Sequence, residues 1–259
     1  METLIFEKTE NIGVVTFNRP QALNALNSQV MKELLELLGF LKTDTSLRCV
    51  IFTGSGEKSF IAGADIKEMA AMTVAQASDF SKAGHLVLKD IAACPFPFIA
   101  AVNGFALGGG TEMAIACDFI VASDKAVFGQ PEVSLGIIPG FGANLRLPKF
   151  VGLPKAKELI FSGRRIKADE ALAIGLVNHV YPAQDFMKHV LELAKTISQQ
   201  SFHAVARAKQ LLNEFGESTG LNFKLDAEAQ AFGRLFGSHD QREGMGAFVE
   251  KRKPSFQGL

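Results

Sequence analysis

The sequence predicts an α/β fold: parallel strand–helix–strand units followed by a helical C-terminal region. Three observations carry this. Short apolar runs alternate with stretches whose apolar residues recur at three to four positions, and that alternation is the signature of parallel β-α-β units. Glycine or other small residues follow two of the expected strands, at Ala62-Gly63-Ala64 and Gly108-Gly109-Gly110. Beyond Pro154 strands become rare and amphipathic stretches succeed one another.

Taken in order, Leu4–Phe6 and Ile12–Phe17 read as short strands joined by a polar turn over Thr9–Gly13. Asn18-Arg19-Pro20 ends the second. Ser28 is the expected N-cap of a helix reaching about Lys42, with Val30, Leu34, Leu37, Leu38 and Leu41 on one face. Cys49–Phe52 is a buried strand closed by Thr53-Gly54-Ser55-Gly56. Residues 60–64 read as a small-residue loop, Ala75–Ala93 as a helix and Pro95-Phe96-Pro97 as its stop. Phe98–Val102 is the next strand, the triple glycine opens a helix to about Ala116, and Phe119–Ala122 is a further strand. Its crossovers should be right-handed. Asp124–Pro148 is long and rich in Gly and Pro, a length that is usually functional inside a compact domain. Short helices at Pro154–Phe161 and Ala168–Ile174 and a strand at Leu176–Val180 come next. Amphipathic stretches at about 184–199, 202–215 and 221–236 and a last helix from about Asp240 to Arg252 complete the chain. The expected division is a core over 1–200 and a helical region over 201–259.

Composition narrows the function. The chain has 259 residues, 47% hydrophobic and 21% charged, with 27 basic and 27 acidic side chains. That balance speaks against a nucleic-acid footprint or a polybasic membrane patch. No run approaches the length of a membrane span, and the acidic start, Met1-Glu2-Thr3-Leu4, lacks a signal-peptide core. Cys49, Cys94 and Cys117 are far apart and unpaired by motif, as expected of free thiols in a reducing cytoplasm.

Several familiar chemistries are missing. Thr53-Gly54-Ser55-Gly56-Glu57-Lys58-Ser59 falls short of a P-loop because Glu57 precedes the lysine. There is no dinucleotide fingerprint and no G-x-S-x-G elbow, and the five histidines have no ligand spacing, so no metal is expected. Carboxylates remain. Glu112 is on the first turn after the triple glycine, where the helix dipole favours the ionised form. Glu132 follows Gly129-Gln130-Pro131 among apolar residues, a setting that favours a protonated carboxyl. Two glutamates so divided suit general acid–base catalysis. The bare backbone at Ala62–Ala64 and Gly108–Gly110 could bring two N–H groups together on one oxygen; the bland alternative is two tight turns.

These stretches resemble the crotonase superfamily. The matching blocks are Asn18-Arg19-Pro20 with Leu23-Asn24-Ala25-Leu26, Phe60-x-Ala62-Gly63-Ala64-Asp65-Ile66, Ala101–Glu112, Phe128-Gly129-Gln130-Pro131-Glu132, Gly136-x-Ile138-Pro139-Gly140 and the tail Arg242–Arg252. They span essentially the whole chain, in family order, and are most similar to the short-chain enoyl-CoA hydratases. The resemblance implies a spiral of ββα repeats, with residues 201–259 as a helical trimerisation region in a homohexamer, a dimer of trimers. It implies reversible syn addition of water to trans-2-enoyl-CoA in fatty-acid β-oxidation, giving 3-hydroxyacyl-CoA, with no cofactor beyond the CoA of the substrate. On that pattern Glu112 activates water for Cβ, Glu132 delivers a proton to Cα, and the N–H groups of Ala64 and Gly109 form the oxyanion hole. Ala22, Leu23, Ala62, Asp65 and Ile66 would line the CoA channel, and Gly140 the water and acyl site. Phe248 and Lys251 resemble residues reaching the CoA of a neighbouring subunit. Met69, Ala70, Met72 and Phe80 would cover the acyl tail, or simply pack a helix. One departure stands out: where the family often has Thr-Gln, this chain has Asn144-Leu145 beside the expected acyl pocket. The alternatives are another crotonase reaction, such as enoyl-CoA isomerisation or biosynthetic 3-hydroxybutyryl-CoA dehydration, and an RNA-binding homologue. The last would want a lysine comb, of which Lys149, Lys155 and Lys157 are a sparse version.

Overall fold

A computed structural model describes residues 1–216, 229–230 and 232–255. The elements follow as β1 (Leu4–Thr9), β2 (Ile12–Phe17), α1 (Ser28–Thr43), β3 (Cys49–Gly54), β4 (Ser59–Ile61), α2 (Ile66–Met69) and α3 (Val74–Ala93). Next come β5 (Phe98–Val102), β6 (Phe105–Leu107), α4 (Gly109–Ala114), β7 (Phe119–Ser123), β8 (Val127–Gly129), a 3-10 turn over Pro131–Leu135 and α5 (Ala143–Ser162). Then β9 (Arg165–Lys167), α6 (Ala168–Ala173), β10 (His179–Tyr181), α7 (Phe186–Ser198), α8 (Phe202–Gly216) and α9 (His239–Val249) complete the order. Most of the third amphipathic stretch, 221–236, lies outside the described residues.

The larger sheet has the order β1-β2-β3-β5-β7-β10, parallel from β2 onward. β3 and β5 are buried throughout, as parallel strands covered on both faces must be. Alternation assigns the faces. Val50 and Phe52 join the main core with α1 and α3, whereas Cys49 and Ile51 pack with Phe186, Val190 and Ala194 of α7. All three cysteines are free and buried.

A second sheet, β4-β6-β8-β9, consists of three-residue strands. The residue pattern alone did not show this sheet, and part of β4 was read as loop, because three residues are too few to display a period of two. Together the sheets show the repeat. A long strand, a short strand and a helix recur as β3-β4-α3, β5-β6-α4 and β7-β8-α5, which is the spiral of ββα turns.

Local chemistry moves several boundaries. Asn27, not Ser28, caps α1, its side chain accepting from the Val30 N–H at 2.9 Å. α3 opens on a reciprocal capping box between Thr73 and Gln76. α5 begins eleven residues before the expected Pro154, and Gly152 at φ +73° interrupts it. The first half was hidden in the Gly/Pro-rich stretch, where Pro148 argued against helix.

The C-terminal helices return to the spiral. Lys209 of α8 is buried, and its ammonium donates to the carbonyls of Ile91 (3.1 Å) and Phe96 (3.0 Å) and to Asp118 Oδ2 (2.9 Å). α9 packs on the 3-10 turn so closely that a Cβ on Gly244 would fall 2.4 Å from the Leu135 carbonyl.

Candidate active site

The triple glycine lies at the end of β6, beside Ala62-Gly63-Ala64 at the end of β4, and β4 pairs parallel with β6. Each glycine answers to a different neighbour. Gly108 has φ +51°, donates its N–H to Gly129 O at 2.8 Å, and would place a Cβ 2.7 Å from Glu132 Oε1. A Cβ on Gly109 would touch Leu26 and the Phe141 ring at 3.2 Å, and one on Gly110 would sit 1.9 Å from the Ile61 carbonyl oxygen. The glycines therefore admit a carboxylate, a ring and a strand to close range, and all three are buried. The helix they open, α4, has only six residues.

Glu112, on the first turn of α4, is 1% exposed. Its Oε1 accepts from the backbone N–H of Phe141 at 2.8 Å and of Ala143 at 2.9 Å. The loop supplying those donors is itself braced. Ser81 donates to Gly140 O at 2.5 Å, Asn144 to Pro139 O at 3.0 Å and Arg146 to Phe141 O at 3.2 Å. Asn144, part of the departure from the family pattern, thus supports the loop that holds Glu112.

Glu132 is in the 3-10 turn and 8% exposed. The buried Gln130 amide faces Glu132, and turned with its nitrogen inward it donates to Oε1 at 3.0 Å and Oε2 at 3.1 Å. Gln130→Leu is expected to lower kcat about 10- to 100-fold, the worth of a hydrogen bond to a charged group, with a smaller change in KM. Steady-state kinetics on an enoyl thioester checks this; an unchanged kcat would show that Gln130 does not position Glu132.

Both glutamates line one cavity of about 370 Å³. Ala64 and Gly109 line it too. The bridge between Leu26 and Ala64 is made by Gly63 O and Asp65 N, so the N–H of Ala64 points away from Leu26. Gly109 is the first residue of α4, where an N–H has no partner inside the helix. Neither N–H donates to another described backbone carbonyl.

Of the remaining expected residues, Leu23, Ala62, Ile66, Gly140 and Phe248 line the cavity, as do Met69 and Phe80. Ala22, Ala70 and Met72 are outside its lining. Asp65 is turned elsewhere, paired with Arg19 at 2.9 Å. Lys251 is exposed just past α9, at φ +55°. Phe248 borders the cavity of its own chain. Gln130, Phe141, Arg165 and Phe232 were not anticipated. Phe232 presses on Gly140, whose Cβ would lie 2.7 Å from the ring. Among the described residues no cluster of His, Cys, Asp and Glu could hold a metal, and no helix is long and apolar enough to cross a membrane.

Known proteins resemble this chain along nearly its whole length. Residues 7–258 match the family described as Enoyl-CoA hydratase/isomerase. A short-chain-enoyl-CoA hydratase of Clostridium acetobutylicum is 47% identical over 253 residues, covering 98% of this chain and 97% of that protein. A crotonyl-CoA hydratase of Syntrophomonas wolfei is 46% identical over 255 residues, covering 98% of each. Among solved structures, an enoyl-CoA hydratase from Mycobacterium avium subsp. paratuberculosis superimposes with a TM-score of 0.89 at 30% identity, covering 98% of both chains.

Proposed function

The chain belongs to the enoyl-CoA hydratase/isomerase family, and from that premise we propose that it is an enoyl-CoA hydratase, adding water to trans-2-enoyl-CoA thioesters. The observation that carries this reading is one cavity holding two buried glutamates and two backbone N–H groups, those of Ala64 and Gly109, that the surrounding backbone leaves unspent.

The steps follow from these positions. The thioester oxygen accepts from the N–H groups of Ala64 and Gly109, and they stabilise the negative charge that grows on it as the enolate forms. Glu112 takes a proton from water as the water oxygen bonds to Cβ. The π electrons move onto the Cα–carbonyl unit, and Glu132 supplies the proton that Cα then takes. Gln130 donates to the carboxylate left behind. The proton on Glu112 returns to Glu132 before the next turnover, so the balance is one water per substrate. No further cofactor is required by these steps.

The same proposal includes a dimer of trimers in solution, testable by its mass, and a cytoplasmic setting, which the three free, buried thiols support. The decisive experiment compares crotonyl-CoA with a 3-enoyl-CoA. Hydration of the former is expected at a kcat/KM above about 10⁴ M⁻¹s⁻¹. Faster conversion of the 3-enoyl thioester to its 2-enoyl isomer would overturn the assignment in favour of isomerisation.

A further inference from the structure

Two rings in contact, Phe80 and Phe141, line the reaction cavity. Phe141, whose N–H holds Glu112, is seated in a notch of α3, since a Cβ on Gly84 would fall 2.2 Å from its ring. Phe80 packs on it with centroids 5.3 Å apart and planes at 59°. Phe80 also borders a second space. A groove of about 570 Å³ runs between α1, α2 and α3, lined by the apolar Met31, Leu35, Met72 and Ala83 and by the polar Lys32, Glu68, Gln76 and Asp79. Among the described residues, Phe80 alone lines both the reaction cavity and this groove. Its side chain is 6% exposed, so it fills the partition rather than decorating a rim.

We propose that Phe80 is the residue that sets acyl chain length: its ring stops a short tail at the end of the reaction cavity, and removing it lets a longer tail run on into the groove between α1 and α3. The inference rests on the hydratase reading and adds to it a specificity determinant. The chemistry is that of apolar burial. Each methylene that leaves water for an apolar wall is worth roughly a fourfold gain in affinity, and a methylene forced against a fixed ring gains nothing. Met31, Leu35, Met72 and Ala83 give an aliphatic tail apolar contact in the groove, beside the polar side chains that share its lining.

The test is a comparison of kcat/KM for crotonyl-CoA and trans-2-decenoyl-CoA. The unaltered protein is expected to favour crotonyl-CoA by tenfold or more. In Phe80→Ala the decenoyl-to-crotonyl ratio should rise at least tenfold, and Phe80→Leu, which keeps the partition partly filled, should shift it less in the same direction. Adding Ala83→Trp to Phe80→Ala refills the groove and should reverse the gain. An unaltered protein without a short-chain preference, a ratio that stays within twofold in both Phe80 variants, or a gain that survives Ala83→Trp would each overturn the proposal. Failure of the underlying reading is distinct: the unaltered protein would then hydrate neither thioester.

Discussion

Glu112→Gln is expected to lower kcat for crotonyl-CoA hydration by about 10²- to 10⁴-fold, the usual contribution of a general base. The substitution separates chemistry from folding. Glutamine keeps an oxygen that can accept from the N–H groups of Phe141 and Ala143, so the loop that carries Gly140 and Phe141 stays anchored. Its amide cannot take a proton from water. Glu112→Ala differs, because it strands two buried N–H groups at a cost of about 1–3 kcal/mol each and should lower the unfolding midpoint as well as the rate. The expected pattern is a large loss of kcat with an unchanged midpoint for the Gln variant, and losses in both for the Ala variant. Turnover by Glu112→Gln within tenfold of the unaltered protein would remove Glu112 from the role of base.

Gly110→Ala should destabilise the fold by more than about 3 kcal/mol, beyond the ordinary range for an overpacked core. The added carbon would meet the Ile61 carbonyl oxygen at 1.9 Å, and that oxygen belongs to the backbone of β4, with no rotamer to yield. Relief requires α4 to move away from the small sheet, carrying Glu112 with it. Gly39→Ala is the natural comparison. Gly39 is inside α1 with nothing within 4 Å of its would-be Cβ, so alanine there should stabilise by about 0.5–1 kcal/mol. Urea unfolding of both variants reads the difference; a Gly110→Ala midpoint near that of the unaltered protein would show that β4 and α4 can separate at little cost.

How far the sequence speaks for this molecule depends on the length scale of each feature. The long strands β2, β3, β5 and β7 were readable as apolar runs bounded by turn residues, and the helices α1 and α3 as longer stretches between helix caps and stops. The short strands were not, since their identity comes from pairing across the spiral rather than from local pattern. Glu112 and Glu132 stood out as carboxyls in apolar company. Their supports did not. Phe141 acts on Glu112 through a backbone N–H, which every non-proline residue possesses, and the Gln130 amide matters only because the turn folds it back onto Glu132. The triple glycine was visible as a place where side chains are forbidden, but the reason was tertiary: a carboxylate, a ring and a carbonyl approach from three directions. Asp65 has a partner that local sequence does not reveal. Its neighbours in sequence line the cavity, yet its own side chain is committed to Arg19.

The Lys209 ammonium has a consequence for how the chain comes to be made. Its partners precede it by 118, 113 and 91 positions. Contacts of such separation form late, because a long loop must close before they reward it. During synthesis from the N-terminus, the spiral around Asp118 emerges long before the charge that neutralises it, and the carbonyl groups of Ile91 and Phe96 must stay hydrated until α8 arrives. That corner of the core therefore cannot dry out on a nascent chain. Its final compaction waits until about four-fifths of the polypeptide has emerged, which makes a chain stalled before residue 209 a wet, incompletely closed spiral rather than a smaller folded protein.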